Sequence, residues 1–153
     1  MQGSPSVIAA LNTLYMQLLT WKEASHRQEN RFQAMGWNGL KEKWDSATHE
    51  AHDLIGGVLD RIEELGGEPQ STMGQVTIAN DPQAAFQLGL TTLNALATSY
   101  RSALDAAAGD KDVGTEDVLY GQACKVERRI IKFEKQLRKL AALQSPLYLA
   151  SRG

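Results

Sequence analysis

His49 and His52 lie three residues apart on a segment with helical periodicity, and both fall beside its apolar stripe rather than on it. Glu50-x-x-Asp53 runs through the same stretch, also off the stripe. Imidazoles and carboxylates are the side chains that ligate metal ions, and equally those that titrate or hydrogen-bond on a surface. A second group is cationic. Lys125, Arg128, Lys132, Lys135 and Lys139 recur at spacings of three and four, which aligns them along one helix face. Such stripes are ordinarily solvated faces, but this one would also attract phosphate. Cys124 is the only cysteine, so no internal disulfide forms. It reads as a small packing residue in a reducing compartment.

The elements that must position these groups are four amphipathic helices. Ser4-Pro5 opens the first, with Val7, Leu11, Leu14, Leu18 and Trp21 in period, and Gly36 ends it. The second carries Leu40, Trp44, Ala47, Ala51, Leu54, Val58, Ile62 and Leu65, then Gly66-Gly67 and Pro69. Asp81-Pro82 opens the third, whose stripe is Phe86, Leu90, Leu93, Ala97, Tyr100 and Leu104, closing at Gly109. Thr115 is the expected cap of the fourth, which buries Leu119, Val126, Ile130, Phe133, Leu137 and Leu140. The spans are about 5–34, 38–65, 82–108 and 116–143. Ser145-Pro146 breaks the last, and a short helix is expected over 146–151. The fold class is all-α, a four-helix bundle within a single domain, 1–153. Residues 68–80 have no helical period and are long enough to cross the bundle end to end, which points to up-up-down-down order.

Composition narrows the function classes. The chain has 153 residues, 42% hydrophobic and 22% charged, with net charge −2, so nothing draws it to nucleic acid or an anionic membrane. The start has no basic leader, and no continuous apolar run of membrane-spanning length exists, so a cytoplasmic protein is expected.

The chain resembles the bacterioferritins. The likeness lies in Gly3, Val7-Ile8, Leu11-Asn12, Gly36, Leu40, Arg61-Ile62, Leu65, Gly67, Pro69, Asp81 and Tyr148-Leu149, and it runs nearly the whole length with about one residue deleted in the crossover. The resemblance implies a ferritin-like bundle that assembles into a cage, a 24-mer in that family, storing ferric mineral. It also implies a di-iron ferroxidase site built from a Glu, a Glu-x-x-His pair, another Glu and a second Glu-x-x-His pair. Carried over residue by residue, that site fails. The first Glu falls on Leu18, the second-helix pair on Ala51 and Leu54, the third-helix Glu on Leu93, and the last pair on Val126 and Arg129. No Asp, Glu or His occurs between Pro82 and Leu104, so a shift of register restores nothing. Arg129 is expected to reach the bundle edge, no inward acid being evident.

The resemblance implies further roles. The family's haem-ligating position falls on His52, so two His52 side chains across a two-fold axis are candidates for haem b. Its inner-surface iron positions fall on Ser46 and Glu50, leaving Glu50 with His49 as a weak iron site. The basic helix would line the cavity. The expected function is a non-catalytic cage subunit for iron homeostasis, as a homo-oligomer or mixed with a ferroxidase-competent partner subunit. The alternative is a haem-binding or electron-entry subunit using His52.

Overall fold

Two Xaa-Pro steps open helices by the same chemistry. The Ser4 hydroxyl accepts from the Val7 N–H at 3.2 Å, and the Asp81 carboxylate accepts from the Ala84 N–H at 2.9 Å. Pro5 and Pro82 follow as first helical residues, where a missing N–H leaves no bond unmade. The computed structural model describes residues 3–143, which form α1 Pro5–Ala34, α2 Asn38–Glu64, α3 Pro82–Gly109 and α4 Val113–Leu143. The short helix expected over 146–151, with Ser145-Pro146 and Leu147-Tyr148-Leu149, lies outside the described residues.

Three helices end in one motif, and one of them departs from the sequence pattern. At α1 the Trp37 N–H reaches Phe32 O and the Gly36 N–H reaches Gln33 O, with Gly36 left-handed at φ +78°. The Trp37 ring packs on Phe32 at 5.7 Å, the hydrophobic contact that accompanies this cap. At α2 the Gly67 N–H reaches Ile62 O, with Gly66 at φ +77°. At α3 the Asp112 N–H reaches Ala107 O at 2.8 Å, but the left-handed residue is Lys111, at φ 55°. Gly109 is simply the last helical residue.

The expected cap of α4 is also corrected. The helix begins at Val113, and Thr115 lies within it, fully buried. The capping side chain is Asp112, which accepts from the Thr115 N–H at 3.1 Å and from its hydroxyl at 2.6 Å. Arg61 of α2 closes this end, donating to Asp112 at 2.8 Å, to the Thr115 hydroxyl at 2.9 Å and to Glu64 at 2.8 Å.

The order of the helices is up-down-down-up, not up-up-down-down. Only Met35–Trp37 join α1 to α2, and only Asp110–Asp112 join α3 to α4, so each pair must be antiparallel. The long connection from Leu65 to Asp81 then makes α2 and α3 parallel. It climbs α1 by side-chain bonds: Asn12 bonds Glu68 O and the Gln70 N–H, Thr20 accepts from the Gly74 N–H, and Gln28 bonds both polar groups of Ala79. Asn12 and Gln28 are buried polar residues on α1 because this strap covers them.

The core is continuous through the bundle. Trp21, Trp44, Phe86 and Phe133 form one layer, with ring centroids 4.9 to 6.0 Å apart. Gly89 admits it: a Cβ there would stand 2.7 Å from Phe133 and 2.9 Å from Trp44. Leu18, Ala51, Leu54, Leu93 and Val126 belong to the same core, none more than 3% exposed. Among the described residues no helix is long and apolar enough to cross a membrane.

Candidate functional site

Leu18, Ala51, Leu54, Leu93 and Val126 come from all four helices, each at the centre of an apolar stripe, and offer only aliphatic carbon. Iron needs oxygen and nitrogen donors. This donor set does not fit a di-iron centre. Among the described residues, no group of three or more His, Cys, Asp or Glu side chains is arranged to hold a metal ion. One Glu-x-x-His does occur, Glu23-x-x-His26, and the sequence reading passed over it. It lies on α1, where Glu23 pairs with Arg27 at 2.8 Å and His26 is half exposed near Glu29. Neither side chain is directed into the centre.

Polar groups close the centre on one side. Arg129 does not run to the bundle edge: it is buried and forms a two-point pair with Glu50, Nε to Oε1 at 3.2 Å and Nη2 to Oε2 at 3.3 Å. The missing acid partner was therefore Glu50, a residue the sequence places off the stripe. Close by, the Tyr100 hydroxyl donates to Gln122 Oε1 at 2.6 Å, and Gln122 Nε2 donates to Leu54 O at 3.0 Å. Burial, with the nearby Glu50 charge, holds the Tyr100 phenol far above its ordinary range, so it stays a donor. Sequence reading missed Gln122. Its one trace is Gly57, whose lack of a side chain lets the amide pass: a Cβ there would lie 2.5 Å from Gln122 Nε2.

The structure does not bring His49 and Glu50 together. Adjacent helical residues point about 100° apart, and His49 stands on the outer flank, mostly exposed, with Nδ1 2.9 Å from Asp45 O and 3.3 Å from the Asp45 carboxylate. The hydrogen bond to that carbonyl, and then the Asp45 charge, raise the His49 pKa. Glu50 is meanwhile held by Arg129.

His52 is exposed, and its Nδ1 lies 3.2 Å from Lys22 Nζ. An ammonium only donates, so Nδ1 accepts and Nε2 keeps the proton. A haem held through Nε2 would require Nδ1–H to be donated elsewhere, so this contact with Lys22 would have to give way first.

A further acid pair went unread. Glu29 is nearly buried on α1 and faces the carboxylate of Asp45 on α2, with His26 and Lys41 nearby. Burial first, and then Asp45, push its pKa up. Cys124 is exposed and does not pack in the core, which corrects the reading of it.

The basic stripe is where the sequence places it. Lys125, Arg128, Lys132, Lys135 and Lys139 are all exposed along α4. They border an open groove against α2, because α2 and α4 make the sparsest contact of the neighbouring helices.

Four long helices, one end-to-end crossover and this packing define the ferritin-like bundle. The family model described as the ferritin-like domain matches residues 8–143, and the chain belongs to that family. Its fold is that of solved bacterioferritins. A bacterioferritin from Rhodobacter capsulatus, determined with a metal-free dinuclear site and haem iron, superposes with a TM-score of 0.91 at 20% identity, covering 98% of this chain and 94% of that one. The Mycobacterium tuberculosis bacterioferritin BfrA does so with a TM-score of 0.91 at 21% identity, over 99% and 96%. No curated protein matches the sequence.

Proposed function

We propose that this chain is a non-catalytic, bacterioferritin-like shell subunit of a cytoplasmic iron-storing cage. It assembles with itself, or with a ferroxidase-competent partner chain that supplies the oxidation step. One observation carries the reading: aliphatic side chains from all four helices fill the centre, at the positions where the resemblance would put iron ligands. An unpaired carboxylate there would cost several kcal/mol. A subunit without the metal is therefore expected to hold Leu and Val at these positions. The crossover, caps and aromatic layer support shell building as the task, since they maintain the shape of the bundle.

The test combines native sizing with ferrous oxidation on the purified protein. A large, cage-sized assembly that takes up oxygen with ferrous iron no faster than buffer is the expected result. Adding a ferroxidase-competent ferritin chain to the same preparation should restore iron loading. Rapid oxidation of two ferrous ions per subunit by this chain alone refutes the non-catalytic part, and a stable monomer refutes the cage.

A further inference from the structure

A strongly charged groove lies between α2 and α4, outside the bundle centre. Two adjoining hollows of roughly 470 and 380 Å³ form it. Phe133 lies in its floor, and Gly39 and Ser46 leave the α2 rim low. Seven cationic side chains line it, the five of the α4 stripe with Lys43 and Arg129, against the three carboxylates Glu42, Glu50 and Asp53. Among the described residues only Arg129 of the seven has a carboxylate within ion-pair distance. The other acids of this stretch of α4, Glu127 and Glu134, do not line the groove.

This surplus is local, because the whole chain is at net charge −2. Cations three and four apart on a helix repel one another, each pair costing a few tenths of a kcal/mol. A multivalent anion turns that repulsion into attraction, and the low-dielectric walls formed by the two helices focus the field between them. Arg129 is already held in place by Glu50, so it needs no ordering before an anion arrives. The stripe from Lys125 to Lys139 extends about 21 Å at the helical rise, longer than a single oxyanion requires.

We propose that the α2–α4 groove is a phosphate-oxyanion site, with Lys132 and Lys135 at its middle as the principal contacts. It takes free orthophosphate or a linear polyphosphate. The inference stands apart from the cage reading, because the groove lies within one subunit.

Equilibrium dialysis of the full-length protein at low ionic strength tests it, in separate arms with orthophosphate and with polyphosphate. Lys132→Gln with Lys135→Gln should weaken binding by about tenfold or more, Lys132→Arg with Lys135→Arg should retain it, and added salt should weaken it steeply. Saturable orthophosphate binding assigns the free anion, and saturation by polyphosphate alone assigns the polymer. Arg101→Gln, on the exposed face of α3, controls for the loss of a surface cation away from the groove. Binding of neither anion overturns the proposal. So does binding that the Gln pair leaves unchanged, or a loss as large in Arg101→Gln as in the pair.

Discussion

The bundle centre and the α2–α4 groove meet at Arg129, and they treat charge in opposite ways. In the centre every ionised group is matched or excluded: aliphatic carbon fills the middle, and the single guanidinium is held by Glu50 at two points. Further out, the lysines of the α4 stripe stand in an open groove without carboxylate partners among the described residues. Burial explains the difference. A charge removed from water needs a partner, whereas a charge in water does not. The interior thus presents aliphatic carbon, and the exposed surplus of positive charge lies along the groove.

The largest test of this contrast is a carboxylate returned to the interior. Leu18→Glu should destabilise the protein by more than about 3 kcal/mol, read from urea unfolding at neutral pH. A loss under about 1 kcal/mol would mean that the centre is wetter or more accommodating than its packing indicates. Next in size is Arg129→Ala, which leaves Glu50 half-buried and unpaired and should cost about 2 kcal/mol. Replacing Arg129 with Met and Glu50 with Leu together should recover most of that loss. An additive outcome would show that the two residues do not act as a pair.

The Arg61–Asp112–Thr115 cluster at the end of the bundle offers a polar counterpart to the centre. Burial alone would raise the Asp112 pKa, but bonds from the Thr115 hydroxyl and amide and from Arg61 outweigh it and hold the group below its ordinary value of 3.8. The contribution of Asp112 to stability is therefore full above that ordinary value and is lost as pH falls through the lower folded one. Asp112→Asn should cost about 1.5 kcal/mol near pH 6. The difference between variant and parent should shrink in acid below pH 3.8, and a gap that widens there would reverse the assignment.

Tyr100→Phe removes a buried donor from Gln122 and should cost about 1 kcal/mol, measured by the same unfolding curves. The smallest effect belongs to the groove. Lys132→Gln with Lys135→Gln should change stability by less than about 0.5 kcal/mol, in the stabilising direction as like-charge repulsion is relieved. A large loss would make these lysines structural.

Much of the bundle was legible because its signals are local. Ser4-Pro5, Asp81-Pro82, Gly36 and Gly66 set helix ends within a turn of themselves, and the apolar stripes that followed from period alone are the observed core. Thr115 misled because Asp112 took its capping role, held there by Arg61. The direction of the helices was misread although short connections fix it. The pairing of Arg129 with Glu50 joins residues 79 apart across two helices, and no periodicity reports that. Glu29 facing Asp45, Gln122 reaching Leu54, and the exposure of Cys124 depend likewise on how helices sit side by side.

The most direct test of the central claim is anomalous diffraction at the iron edge from crystals of this chain soaked in ferrous salt. The account predicts no iron peak within about 4 Å of Leu18 or Leu93, where no donor exists to hold one. Two peaks roughly 3.5–4 Å apart between those side chains, the spacing of a working two-metal site, would contradict it.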